Sequence, residues 1–189
     1  MRRLTVFENV SLDGYFVDAR GDMSWAHASS AGDPEWARFS AENAKGGRGT
    51  LLFGRKTYEL MAGFWTTEAA RQQMPEVAEG MSRLEKLVVS RTLEQVGWTN
   101  ASLLRGDLVE RIAAMKQGSG EPILVMGSGT IVAQLARAGL IDGYTFVLVP
   151  ILLGGGRTLF EGLDRPIALR RVSERTFQNG NIVATYEPR

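Results

Sequence analysis

Short apolar runs alternate with helical patterns along this chain, and the alternation predicts its elements. Residues 50–53, 86–90 and 123–126 are brief and largely apolar, as parallel strands buried on both faces are. Segments with apolar positions three and four residues apart, which are typical of helices packed on a sheet, surround these runs. Strands that alternate with helices in this way favour an α/β fold with a mainly parallel sheet flanked by helices.

Antiparallel strands are expected at the C-terminus, where extended segments surround Asn179-Gly180, a good hairpin turn. The segments cover residues 169–172, 176–178 and 181–186. Before them, the apolar run 144–153 contains Pro150, which cannot donate to a strand ladder, so we expect a strand at or near an edge or one with a bulge. Residues 1–189 are expected to form a single domain.

Composition and charge exclude several classes of function. The chain is 44% hydrophobic and 23% charged with a formal net charge of +1, which gives no general case for nucleic-acid or membrane binding. It has no cysteine and one histidine, His27, so thiolate metal sites and histidine clusters are excluded and no metal is expected. The N-terminus lacks a signal-peptide pattern and no apolar stretch is long enough to span a membrane. We therefore expect a cytoplasmic protein.

A glycine-rich turn after the run 123–126 is the first candidate site. Two glycines without a Cβ allow close approach of a ligand, and the helix that follows presents free backbone N–H groups and its positive dipole end. The turn alone does not meet the usual dinucleotide fingerprint, because Val132 stands where a third glycine is expected. Gly127, Ser128, Gly129 and Thr130 form the predicted diphosphate turn, and Ile131 and Val132 after it are predicted cofactor-binding residues.

Two further strand ends carry residues suited to phosphate. Residues 54–57 read Gly-Arg-Lys-Thr, and residues 90–92 read Ser-Arg-Thr. In a parallel sheet all three strand ends meet at one edge, where open α/β sheets bind ligands. An arginine with hydroxyls, rather than an acid, favours the 2′-phosphate of NADP over the ribose of NAD. The predicted cofactor ligands here are Gly54, Arg55, Lys56, Thr57, Ser90 and Arg91.

The order of these motifs resembles the dihydrofolate reductase-like superfamily, and within it the reductase domain of bacterial riboflavin biosynthesis and its stand-alone relatives. The matching segments are VSLDGY at 10–15, GRKTY at 54–58, VVSR at 88–91, VMGSGT at 125–130 and VPILLGGG at 149–156. The resemblance implies NADPH bound across the carboxyl edge of the sheet, hydride transfer to a ribosylaminopyrimidine- or pteridine-like heterocycle, and a homodimer. It places Asn9, Asp13, Tyr15 and Phe39 near the substrate, with Asp13 as a candidate proton donor.

Two features leave the reaction open. Dihydrofolate reductases carry an acid on the first helix, but the position in register falls near Arg38 and Phe39. The riboflavin-pathway reductase is usually fused to a zinc deaminase, for which this chain has neither cysteines nor length. A non-catalytic NADP(H)-binding regulatory module, dihydrofolate reductase proper and a flavin-dependent enzyme therefore remain alternatives.

Overall fold

The computed structural model describes residues 1–28, 33–45 and 48–189. Their backbone forms ten strands and seven helices. The strands are β1 Leu4–Ser11, β2 Val17–Asp18, β3 Thr50–Gly54, β4 Glu85–Val89, β5 Ala101–Leu104, β6 Ile123–Met126, β7 Gly143–Val149, β8 Gly156–Arg157, β9 Leu169–Thr176 and β10 Ile182–Pro188. The helices are α1 Trp25–Ala28, α2 Pro34–Lys45, α3 Arg55–Trp65, α4 Glu68–Gln73, α5 Pro75–Arg83, α6 Leu108–Gln117 and α7 Gly129–Arg137.

Eight of the strands form one sheet in the order β5-β4-β3-β6-β1-β7-β10-β9. The first six run parallel, and β10 pairs antiparallel with both β7 and β9. The mainly parallel α/β sheet with antiparallel C-terminal strands is thus confirmed. The strand before Pro150, expected at or near an edge or with a bulge, is β7, which lies third from one end of the sheet and ends at Val149, one residue before the proline.

Local sequence signals account for several helix boundaries. The carboxylate of Asp107 accepts from the backbone N–H of Glu110 at 2.9 Å and so caps α6. Asp33 accepts from the N–H of Trp36 at 3.1 Å at the start of α2. Pro75 occupies the first turn of α5, where its missing N–H costs nothing, and it separates α5 from α4.

Apolar side chains cover both faces of the sheet. Ile112 of α6 and Leu135 of α7 are fully buried in a cluster with Val6 of β1. On the opposite face, Tyr58 of α3 and Met81 of α5 pack against β3 and β4. Because α6 and α7 lie on one face and α3 and α5 on the other, the connections that leave β3 and β6 run over opposite faces. An open sheet has its ligand crevice at such a switch point, outside the carboxyl ends of the strands.

A buried lysine, Lys86 of β4, connects the segments around β4 and β5. Lys86 is fully buried, and its Nζ donates to the carbonyl oxygens of Leu84 at 2.6 Å and of Ser82 and Thr99 at 3.0 Å. The ammonium also lies 4.5 Å from the ring centroid of Trp98. Burial lowers the pKa of Lys86 to about 8, whereas the three carbonyls and the ring face favour the charged form. Lys86 therefore ties the end of α5 to the start of β5.

Candidate functional site

Ser128 connects two of the predicted phosphate sites. It adopts a left-handed conformation with φ 68°, directly after Gly127 with φ 58°. Its Oγ accepts from the N–H of Gly54 at 2.7 Å and lies 2.9 Å from the Oγ1 of Thr57. The hydroxyls of Ser128 and Thr57 therefore bond to each other instead of pointing freely toward a ligand. They hold the turn before α7 against the first turn of α3.

The glycines of these turns are required by close packing. A Cβ on Gly127 would stand 2.8 Å from the Oγ1 of Thr57, and a Cβ on Gly129 would stand 2.8 Å from the Phe16 ring. Real Cβ atoms do not approach other atoms so closely, so a side chain at either position would force the neighbours apart. In the sequence, these glycines suggest close approach of a ligand. The structure shows that they are also needed because α3 and the segment after β1 pack directly against them.

Helix α7 begins at this turn without a side-chain cap. The N–H groups of Ile131 and Val132 donate to the carbonyl of Ser128 at 2.8 and 3.1 Å, and both side chains are buried in the core. Thr130 is exposed, and its Oγ1 accepts from Arg157 at 3.4 Å. The geometry thus offers an anion the first amides of the turn and the Thr130 hydroxyl, and it turns Ile131 and Val132 inward.

The predicted cations lie on one side of the turn, at the ends of β3 and β4. Arg55 approaches Glu59 at 3.6 Å, and both side chains are about half exposed. Lys56 and Arg91 are exposed, so a ligand can reach them. The crevice therefore has a positively charged flank formed by the β3 and β4 ends.

The Ser90 turn is held by Arg105, a residue that the sequence pattern did not indicate. The Oγ of Ser90 accepts from the N–H groups of Thr92 at 3.1 Å and Leu93 at 2.9 Å, which closes a tight turn. Arg105, at the end of β5, donates to the carbonyl of Ser90 at 3.0 Å and to that of Leu93. Its position directly after the strand 101–104 is the signal that could have identified it.

Asp13 joins two loops at the carboxyl edge. Its carboxylate accepts from the Ser11 hydroxyl at 2.7 Å and from the N–H groups of Leu153 at 3.0 Å and Gly154 at 2.8 Å. The Ser11 hydrogen bond, with help from the two amides, lowers the pKa of Asp13. The catalytic role stays a prediction, and these contacts describe an ionised carboxylate that positions the turn after β1. Tyr15 belongs to the same turn, since its N–H donates to the Ser11 hydroxyl at 2.9 Å.

The other two predicted substrate residues lie on the α2 face of β1. Phe39 belongs to an aromatic group with Trp36 and Phe177, whose ring centroids lie 5.4 and 5.2 Å from its own. The guanidinium of Arg175 lies 5.6 Å from the Phe39 ring. Asn9 is half-buried on β1, two residues beyond Phe7, which packs against the same apolar cluster. Asn9 and Phe39 therefore share one face of the sheet beside the crevice.

Glu8, which only breaks an apolar strand in the sequence, is fully buried in the structure. Its Oε1 accepts from the N–H of Asn9 at 3.1 Å, and its Oε2 has no hydrogen-bond partner among the described residues. Burial raises the pKa of Glu8 to about 8, against a smaller opposing effect of the Asn9 amide. At neutral pH this side chain is therefore a neutral carboxylic acid.

Other sites are not supported by the described part of the chain. No cluster of histidine, aspartate or glutamate there could hold a metal ion, and no helix there is long and apolar enough to cross a membrane. A cavity of about 300 Å³ lies near the end of α7 and the chain terminus, and residues such as Arg137, Tyr144 and Arg165 line it. None of the predicted site residues lines it, so the candidate site remains the crevice.

A switch-point crevice, a glycine turn at the start of α7 and antiparallel terminal strands define a dihydrofolate reductase-like α/β protein. The family model described as the RibD C-terminal domain matches residues 2–183, and the chain belongs to this family. Its relationship to bacterial riboflavin-type reductases, expected from the motifs, is thereby confirmed.

Individual relatives agree with this assignment. The chain is 25% identical over 189 residues to the uncharacterized protein YyaP of Bacillus subtilis (strain 168), covering 98% of this chain and 94% of that protein. A putative riboflavin biosynthesis protein from Shewanella sp. PV-4 is 25% identical, with a TM-score of 0.74 and 99% of each chain covered. Dihydrofolate reductase from Enterococcus faecalis, complexed with NADP(H), is 16% identical with a TM-score of 0.60, covering 98% of this chain and 96% of that one. Membership of the family supports a reductase-type function, and the Enterococcus faecalis structure agrees with the fold.

Proposed function

We propose that the protein is a cytoplasmic, single-domain, NADPH-dependent reductase that transfers hydride to a small heterocycle. The observation that carries the proposal is the connection between the two glycine junctions, in which Ser128 holds Gly54 and Thr57 beside an uncapped α7. Such a turn suits a diphosphate, because amides and helix dipole face the ligand while the small residues let it approach. Membership of the RibD C-terminal family supports the reductase class.

We propose that the phosphates of the cofactor bind at separate places, according to the charged residues near each. Amides at the Gly127 to Gly129 turn hold the diphosphate, and exposed Arg55 and Lys56 approach it from β3. Exposed Arg91, at the β4 end, binds the 2′-phosphate by charge-assisted hydrogen bonds. When bound, NADPH supplies the hydride, and the protein supplies orientation and exclusion of water.

The substrate is proposed to lie on the α2 face of β1, between Asn9 and Phe39. The half-buried Phe39 ring, packed on the buried Trp36 and Phe177, suits the planar ring of a ribosylaminopyrimidine or a pteridine. Glu35 of α2 forms a salt bridge with Arg175 at 2.8 Å, so its carboxylate already has a partner within the protein. Asp13 acts by positioning the loop between β1 and β2 against the Leu153 loop.

We also propose a homodimer. The edge strand β9 is exposed along almost its whole length, and Val172 on it is 49% exposed. An unpaired strand edge presents backbone N–H and C=O groups that can pair with the edge of a second copy. Sedimentation of the purified protein tests this proposal, because a monomer at all concentrations contradicts it.

Cofactor selectivity provides the main test of the function. Titration of nicotinamide fluorescence should show NADPH binding much more tightly than NADH, and Arg91→Ala should remove most of the difference. Arg71→Ala is the matched control, because Arg71 is an exposed arginine on α4 that pairs with Glu68 outside the crevice. Equal binding of NADPH and NADH to the unmodified protein contradicts the 2′-phosphate assignment.

Turnover separates the enzyme from a binding module. Oxidation of NADPH in the presence of ribosylaminopyrimidines or pteridines supports a reductase. Tight NADPH binding without turnover on either class of substrate favours the regulatory alternative.

A further inference from the structure

The carboxyl group of Glu8 is not explained by folding alone. It is 2% exposed, lies among apolar side chains and leaves Oε2 without a partner among the described residues. A buried polar atom without a hydrogen bond destabilises the fold, so its presence calls for an explanation.

Glu8 lies where β1 and β6 separate. The pairing of β1 with β6 ends at Phe7 and Met126, whereas its pairing with β7 continues as far as Ser11 and Val149. The chain then leaves β6 through the glycine turn. Backbone groups on the β6 side of β1 beyond Phe7 therefore face a gap in the ladder, beside that turn.

The hydrogen bonds show that the amide of Asn9 faces this gap. The carbonyl of Arg3 accepts from Ile123 of β6, and the carbonyl of Leu4 accepts from Asp142, next to β7. Because backbone groups alternate sides along a strand, odd-numbered residues of β1 face β6 and even-numbered ones face β7. The N–H of Asn9 thus points into the gap, where it donates to the Glu8 carboxyl. Oε2 is bonded to the same carbon as Oε1 and is buried beside it.

The surroundings of Glu8 contain few charged groups. The β7 residue in register with Glu8 is Phe146. Tyr144 lies two residues earlier on the same face of β7, and Tyr186 of β10 is in register with Tyr144. The described β6 segment and the first turns of α7 bring no charged side chain to this face. Arg157 is the cation on this side, 5.8 Å from the Phe16 ring that packs on the start of α7. Burial among these groups therefore raises the pKa of Glu8 to about 8.

A neutral acid at this place is a hydrogen-bond donor. The cations at the β3 and β4 ends hold the phosphates on one side of the turn, which leaves the β1 side for the uncharged end of the cofactor. The nicotinamide ring carries an amide whose carbonyl oxygen is an acceptor. We propose that Glu8 is a positioning residue, with Oε1 fixing the Asn9 amide and the Oε2 hydroxyl donating to the nicotinamide amide in the gap between β1 and β6.

This inference rests on the proposed NADPH function, and a fragment of the cofactor separates the two. Adenosine 2′,5′-bisphosphate has the charged adenosine end without the nicotinamide. For the unmodified protein, NADPH affinity should fall about tenfold as the pH rises one unit above the pKa of Glu8, because the ionised form cannot donate. Affinity for the fragment should not show this loss. If neither compound binds at any pH, the proposed function itself fails.

Two variants sharpen the test. Glu8→Gln keeps an acceptor for Asn9 and a permanent N–H donor, so it should bind NADPH at alkaline pH as the unmodified protein does at neutral pH. Glu8→Leu removes both groups, so it should bind NADPH more weakly than the unmodified protein at neutral pH and with no loss at alkaline pH, while leaving the fragment unaffected. Circular dichroism verifies that each variant is folded.

Several results would overturn the inference. Parallel pH profiles for NADPH and the fragment, measured on the unmodified protein, contradict it even if neither variant folds. A Glu8→Gln profile with the same alkaline loss contradicts it, and so does a folded Glu8→Leu variant that binds NADPH normally.

Discussion

The protonation of Glu8 predicts an unusual dependence of stability on pH. Its pKa is about 8 in the folded protein and near 4.5 in the unfolded chain. Between these values the folded state holds a proton that the unfolded state has lost. The contribution of Glu8 to stability is therefore fully present below about pH 4.5 and is lost as the pH rises through about 8.

The magnitude follows from the size of the shift. Each pH unit between the two pKa values changes the free energy of unfolding by about 1.4 kcal/mol, so the whole interval is worth roughly 3–5 kcal/mol. Glu8→Gln has no proton to exchange and lacks this loss. We expect the variant to have about the same stability as the unmodified protein at acid pH, and to exceed it by a growing margin up to about pH 8.

Urea unfolding followed by tryptophan fluorescence, repeated over a range of pH, measures the difference directly. Glu187→Gln is the control with the opposite sign, because a hydrogen bond from Arg3 lowers the pKa of Glu187. Its stabilisation is present above the ordinary pKa and is lost as the pH falls. A difference between Glu8→Gln and the unmodified protein that stays constant with pH would refute the buried neutral acid.

Three further variants test other parts of the structure. Gly129→Ala places a Cβ against Phe16 and should lower the free energy of unfolding by about 1–3 kcal/mol, measured by urea unfolding, and should weaken NADPH in a fluorescence titration. Lys86→Met leaves buried carbonyls without their donor and should cost about 1–3 kcal/mol in the same unfolding assay; an unchanged stability contradicts that role. Asp13→Asn weakens acceptance from the Gly154 amide, so turnover should fall without a change in its pH profile, whereas a shifted profile would indicate a proton donor.

The parts of the fold that depend on local patterns could be predicted from the sequence. Apolar runs at 50–53 and 123–126 became parallel strands, and Asp107 and Pro75 mark helix starts. Three strand ends with phosphate-type residues were expected at one edge, and the parallel sheet places them there. Local patterns suffice here because strand direction and helix boundaries are encoded within a few residues.

Features that depend on distant contacts could not be predicted. The Ser128 hydroxyl suggests a phosphate ligand in sequence, but a residue 74 positions earlier, Gly54, occupies it. Pro150 was expected to weaken a strand near an edge or to cause a bulge, but it follows the end of β7, where no ladder bond is needed. The burial of Glu8 depends on which helix packs on its face of β1. The alternation of residues along the strand shows which face Glu8 lies on, but not what covers that face.

The charge distribution around the glycine turn also determines which way a ligand must lie. Exposed Arg55, Lys56 and Arg91 are placed on the β3 and β4 side, while the β1 side presents Asn9 and the neutral Glu8. A ligand with phosphates at one end and an uncharged ring at the other fits this asymmetry in only one orientation. The reverse orientation would bring phosphates to a carboxyl that has no nearby counter-ion, and each would raise the free energy of the other's charged form. In the proposed NADPH site, loss of the cations should therefore weaken binding of the whole cofactor, whereas a change at Glu8 should affect only its ring end.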